Sequence, residues 1–140
     1  MFNPFFNNHG PFQINKIFEF INFDIKDLNY KGSIKDIRDL VTADEDCITF
    51  FHSKKYSEIA KNTKASFCIT SKSLKQVLPD TCKPIIVENV LIATAKITEK
   101  FYPDSVIDNF DLSTEYIDKT NFKETVTYGK NVLIGKNVKI

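Results

Sequence analysis

Charge of one sign is what this sequence most lacks. Nineteen Lys and Arg residues stand against eighteen Asp and Glu, for a formal net charge of +1 at pH 7. Such a balance gives neither the basic footprint of a nucleic-acid binder nor a field suited to an acidic partner, so no nucleic acid is expected. Arginine is reduced to Arg38 alone beside abundant Lys, Asn and Ile, which reflects an AT-rich genome and not chemistry. Cysteine is sparse and odd in number: Cys47, Cys68 and Cys82, with no Cys-x-x-Cys spacing. A disulfide framework calls for an even count in a secreted setting, so reduced thiols are expected. The two histidines, His9 and His52, lie well apart and argue against a zinc site; no metal and no cofactor is expected. No apolar run approaches the roughly 20 residues of a membrane span. Residues 1–10 are aromatic and polar, without the basic and apolar stretches of a secretory signal. A cytoplasmic protein is the expectation.

What is present is enough for a folded domain. At 140 residues the chain amounts to one domain or slightly more, long enough to bury a core without staples. Gly10-Pro11 punctuates the start. Ile14, Ile17, Phe18 and Ile21 then recur at helical spacing and predict a short amphipathic helix. Residues 30–40 read as extended, and Asp44-Glu45-Asp46 as a solvated turn. Residues 47–51, 65–69 and 84–87 are compact apolar runs that predict strands. Ser53 stands where a helix N-cap belongs, with Tyr56, Ile59 and Ala60 as the buried stripe of the helix that follows. Residues 74–78 predict a short helix closed by Pro79. Asn89 caps a helix with an apolar face of Val90, Ala93, Ile97 and Phe101, ended by Pro103. Strands alternating with helices give an α/β domain with a sheet at least partly parallel. Such sheets bind ligands beyond the carboxyl ends of their strands, and residues 51–53 form a turn of that kind.

The C-terminal stretch repeats itself. Tyr128-Gly129-Lys130-Asn131-Val132 is followed by Ile134-Gly135-Lys136-Asn137-Val138, so Gly, Lys, Asn and Val recur at a period of six. That period is too short for a helical repeat. It suits one flat face of a parallel β-helix, where an aliphatic residue points inward and Gly permits a tight corner; a local duplication in a hairpin is the plainer alternative. Phe122 and Tyr116 keep the register upstream in degraded form, as capping turns do. Because such a coil needs about three repeats to bury a core, the chain is expected to be part of a longer protein and, by itself, a monomer or weak oligomer.

Several segments taken in order resemble the UDP-3-O-acylglucosamine N-acyltransferases. They are Gly10-Pro11-Phe12, then Ile48-Thr49-Phe50-Phe51-His52-Ser53-Lys54-Lys55-Tyr56 beside the family's Leu-Ser-Phe-Leu-x-Asn-Pro-Lys-Tyr. Ile86-Val87-Glu88-Asn89 and Phe101-Tyr102-Pro103 follow, ahead of the repeats. The resemblance implies an α/β fold: a small mixed-sheet uridine-binding domain over residues 1–103, then a linker and the first coils of a left-handed parallel β-helix over 104–140. It implies transfer of a 3-hydroxyacyl chain from acyl carrier protein to the 2-amino group of UDP-3-O-acylglucosamine in lipid A biosynthesis, by a homotrimer when full length. The family's general-base histidine falls beyond Ile140, and neither His9 nor His52 matches it. No catalytic residue is therefore assigned, and the chain alone is expected to be inactive. Two rivals stand beside this reading: another hexapeptide-repeat acetyltransferase acting on a nucleotide sugar, and a non-catalytic binding or assembly module.

The resemblance also implies the substrate-binding residues. Phe50 and Tyr56 take the places of the two rings that sandwich uracil, an arrangement worth about 1–3 kcal/mol per stacked base. The plain alternative makes Phe50 core and Tyr56 the buried face of its helix. Ser53 replaces the family's Asn and offers one hydroxyl where an amide offers both donor and acceptor; its alternatives are a base contact and an N-cap. Lys54 and Lys55 oppose the helix dipole and are either a solvated pair or a hold on a diphosphate. Phe2, Phe5, Phe6 and Phe12 suit packing, or the groove for an acyl chain.

Overall fold

The computed structural model describes residues 6–23, 31–105, 115–116, 126–127, 129–130 and 132–134. The chain divides into two compact units, Met1–Val106 and Ile107–Ile140.

The first unit opens with strand β1 (Phe12–Gln13), which runs straight into helix α1 (Ile14–Phe20). The i, i+3, i+4 spacing of Ile14, Ile17 and Phe18 puts all three on the buried side of that helix. Strand β2 (Ser33–Ile34) pairs with β1 antiparallel, Phe12 opposite Ile34. The main sheet follows: β3 (Asp36–Ile37), β4 (Cys47–Phe51), β5 (Phe67–Thr70) and β6 (Lys83–Ile86), hydrogen-bonded in that order and parallel throughout. The antiparallel component of the expected mixed sheet is present as the separate β1–β2 ribbon. The steps from β4 to β5 and from β5 to β6 are bridged by residues 52–66 and 71–82, long enough to cross over as parallel neighbours require, and β3 reaches β4 through the shorter turn 38–46. Pro84 is tolerated within β6 because that strand lies at the sheet's edge.

Side-chain alternation divides the core in two. Ile48, Phe67, Ile69 and Ile85 point to one face, where α1 and helix α3 (Val90–Phe101) cover them through Ile14, Ile17, Phe18, Ala93, Ile97 and Phe101. Cys47, Phe51 and Cys68 point to the other face and meet Ala60, Ala65, Leu74 and Cys82 from the crossovers. All three cysteines lie on this thinner side as free, buried thiols. Burial and a hydrogen bond to the Asp44 carboxylate (Sγ to Oδ1, 3.0 Å) push the Cys47 thiol up to about 11. The hydrogen bond shared with Cys82, together with burial, pushes Cys68 up as well.

The N-terminal landmark is packed against the end of α3. The His9 amide donates to the Phe101 carbonyl at 2.8 Å. Phe12 lies edge-on to Phe101 at 4.9 Å and to Phe20 at 5.3 Å. The Tyr102 hydroxyl donates to Asp36 Oδ1 (2.6 Å), and Arg38 Nε donates to Asp36 Oδ2 (2.9 Å). Burial and that bond to Asp36 push the Tyr102 hydroxyl up to about 12. Of the N-terminal phenylalanines, Phe12 is thus a packing residue and Phe6 is exposed, while Phe2 and Phe5 lie outside the described residues.

In the second unit β7 (Glu115–Tyr116) pairs antiparallel with β8 (Leu133–Ile134), Tyr116 opposite Leu133. Most of the six-residue repeat lies outside the described residues, and coils of a parallel β-helix are not among the described elements.

Candidate functional site

The site grows out of the end of β4. Alternation sends Phe51 into the crossover-side core, while Phe50 and His52 share the opposite side of the chain. Ser53 stays extended (φ −141°, ψ 134°) and reverses the chain: its carbonyl accepts from the Tyr56 amide at 3.0 Å and its Oγ from the Lys55 amide at 3.4 Å. A 3-10 turn, Lys54–Tyr56, and the single-turn helix α2 (Ser57–Ala60) follow. The reversal brings Tyr56 back beside the strand end. The result is a run of three rings: His52 stacks on Phe50 (centroids 6.4 Å, planes 24° apart) and meets Tyr56 at 5.8 Å and 48°.

The facing wall comes from the β3–β4 connection. Asp39 accepts from the Val41 amide (2.8 Å) and the Thr42 amide (3.0 Å), and from the Thr42 hydroxyl. The Thr42 hydroxyl above all, then those amides, hold the Asp39 carboxyl below its ordinary value. This self-contained turn presents Leu40 and Val41 to a cavity of about 290 Å³, closed on the other side by Phe50, His52, Tyr56 and Ile59. The cavity lies just beyond the carboxyl ends of β3 and β4, where parallel sheets place their ligands. Its volume is at the lower edge of the roughly 300–1,000 Å³ typical of small-molecule sites, enough for a flat ring. Among the described residues, no three His, Cys, Asp or Glu side chains come together to hold a metal ion.

Two of the three expected binding residues meet here, and one does not. Phe50 is half-buried and serves both the α-helical core and the cavity wall. Tyr56 lines the cavity and is 38% exposed, with Ile59 at 41%, so the expected buried stripe reduces to Ala60. The reason is length: a single helical turn has only one position that can face the sheet. Ser53 does not line the cavity; its hydroxyl is turned back on its own turn as a cap. Lys54 and Lys55 are exposed and also off the cavity wall. His52 is the member that sequence spacing did not single out. The signal was available: it is two residues from Phe50, hence on the same side of an extended chain, and four before Tyr56.

Residues 33–100 match the family described as UDP-3-O-(3-hydroxymyristoyl) glucosamine N-acyltransferase, LpxD. That stretch holds the whole main sheet, the cavity and nearly all of α3. Among curated proteins, the UDP-3-O-acylglucosamine N-acyltransferase of Rickettsia prowazekii (strain Madrid E) is 32% identical over 100 residues, 70% of this chain and 29% of that protein. The enzymes of the same name from Rickettsia canadensis (strain McKiel) and Rickettsia bellii (strain RML369-C) are 35% and 33% identical over 101 residues, again 70% of this chain and 29% of each relative. The chain thus spans under a third of the length of the curated relatives it matches. Among the described residues, no helix is long and apolar enough to cross a membrane. Over the stretch it shares with them, this chain is similar to the UDP-3-O-acylglucosamine N-acyltransferase family.

Proposed function

We propose that this chain is the nucleotide-reading part of an N-acyltransferase of lipid A biosynthesis, and that its cavity receives the uracil of UDP-3-O-acylglucosamine. The observation that carries the proposal is the run of rings Phe50, His52 and Tyr56 lining a largely apolar cavity, inside the stretch that matches the family. A planar base entering beside these rings gains about 1–3 kcal/mol by stacking. The cavity is too small for a whole nucleotide sugar, so the glucosamine and its acyl chain extend outside it. The chemistry belongs elsewhere. A 3-hydroxyacyl group moves from acyl carrier protein to the sugar's 2-amino nitrogen, the thioester carbon–sulfur bond breaking as the amide forms. Neither His9 nor His52 is assigned as the general base of that step, and the working assembly is a homotrimer built with a β-helix.

Calorimetric titration of the chain with UDP-GlcNAc, with ADP-glucose as control, tests the reading. Selective uridine binding is expected, weakened about tenfold or more by Phe50→Ala and by Tyr56→Ala, in line with the loss of one stacking contact. Binding that survives both substitutions, or that fails to distinguish the two nucleotides, would overturn it.

A further inference from the structure

We propose that His52 is the residue that reads the edge of the bound base, a role that rests on the nucleotide reading above and makes that site more specific. Stacking alone is tolerant: every base has a π-face, so Phe50 and Tyr56 hold a ring without identifying it. Identification needs a hydrogen bond that the wrong ligand leaves unmade. Three polar side chains line the cavity: Asp39, His52 and Tyr56. The Asp39 carboxylate is committed to Val41 and Thr42 within its own turn. Tyr56 presents its ring to the imidazole. Ser53 lies off the cavity wall, its Oγ accepting from the Lys55 amide. His52, like the Tyr56 hydroxyl, has no hydrogen-bond partner among the described residues; it is exposed, lies aligned with the Phe50 ring at 24°, and carries two ring nitrogens where the phenol has one oxygen. In the neutral imidazole one nitrogen donates and the other accepts, which suits a base edge where an imide N–H sits between two carbonyls.

Three chains separate this idea from its rivals: the unsubstituted protein, His52→Phe, which keeps a ring in the stack and removes both nitrogens, and His52→Gln, which restores a donor and an acceptor without the ring. Each is titrated with UDP and with 3-methyl-UDP, whose imide proton is replaced by a methyl group. The unsubstituted chain is expected to prefer UDP by about tenfold, the size of one net hydrogen bond. His52→Phe should bring the two ligands within about twofold, and His52→Gln should restore part of the gap. An undiminished gap in His52→Phe would assign the edge to another group and sink the role of His52 while leaving the nucleotide site standing. Absence of UDP binding by the unsubstituted chain would instead remove the nucleotide reading, and this inference with it.

Discussion

At Gly10 a single hydrogen atom stands where three other parts of the first unit converge. A Cβ there would lie 2.8 Å from the Lys35 carbonyl oxygen, 2.8 Å from Cε1 of Phe101 and 2.9 Å from Oδ1 of Asn8. None of the three can easily retreat. The Lys35 carbonyl accepts from Asn8 Nδ2 (3.1 Å), Asn8 Oδ1 accepts from the Gly10 amide (2.6 Å), and Phe101 is fully buried. Gly10→Ala is expected to cost about 1–3 kcal/mol as overpacking, seen as a lower urea midpoint with an unchanged slope. At this scale the sequence was legible where a residue's role is local. Asn89, placed as a cap by its neighbours alone, is one. It was illegible where the role depends on a distant wall: nothing within residues 50–60 announces that Leu40 and Val41 face Tyr56 and Ile59 and turn them from core residues into lining.

Helix α3 shows the same contrast one level up. Its bounds followed from residues within it and beside it. Asn89 Oδ1 accepts from the Ile92 amide at 3.0 Å, and Val90, Ala93, Ile97 and Phe101 are the buried positions. Asn89→Ala removes an acceptor for one of the four unpaired N–H groups at the helix start. It is expected to cost about 1 kcal/mol, a fall in Tm of roughly 4 °C or more by calorimetry. Strand β4 was equally legible, since five residues alternating between two cores leave little freedom in where the strand begins and ends. The segment after Ser53 was not. Its cap and the spacing of Tyr56, Ile59 and Ala60 suggest a full helix, but the connection needs only a 3-10 turn and one α-turn to reach β5.

For the molecule as a whole, the titrating groups set a window of stability. Cys47 moves from an ordinary value of 9.0 to about 11 in the fold, and Tyr102 from 10.0 to about 12. Both are raised, so the fold favours their protonated forms. Their contribution is complete below the unfolded values and is lost as pH rises through the folded ones. Asp39 and Asp44 are lowered, the first chiefly by the Thr42 hydroxyl and the second chiefly by the Cys47 thiol, so their contribution is present above about 3.8 and lost as pH falls below it. Tm measured against pH should therefore show a decline between about pH 9 and 12, and Cys47→Ala should remove the lower part of that decline. An unchanged alkaline limb in Cys47→Ala would show that the thiol contributes nothing to it. The parallel order β3-β4-β5-β6 is a property of this scale. It arises from how successive crossovers share one face of the sheet, and only the alternation of strand and helix hinted at it beforehand.

The seam between the start of the first unit and the end of α3 also has a mechanical meaning. His9 is tied to Phe101, Asn8 Nδ2 donates to the Tyr102 hydroxyl at 3.3 Å, and that hydroxyl is anchored on Asp36. The chain between these points is a noose drawn shut by a clasp. A pull applied through the two flanks of the unit is borne by the clasp first, and the strands that shape the cavity stay unloaded until it opens.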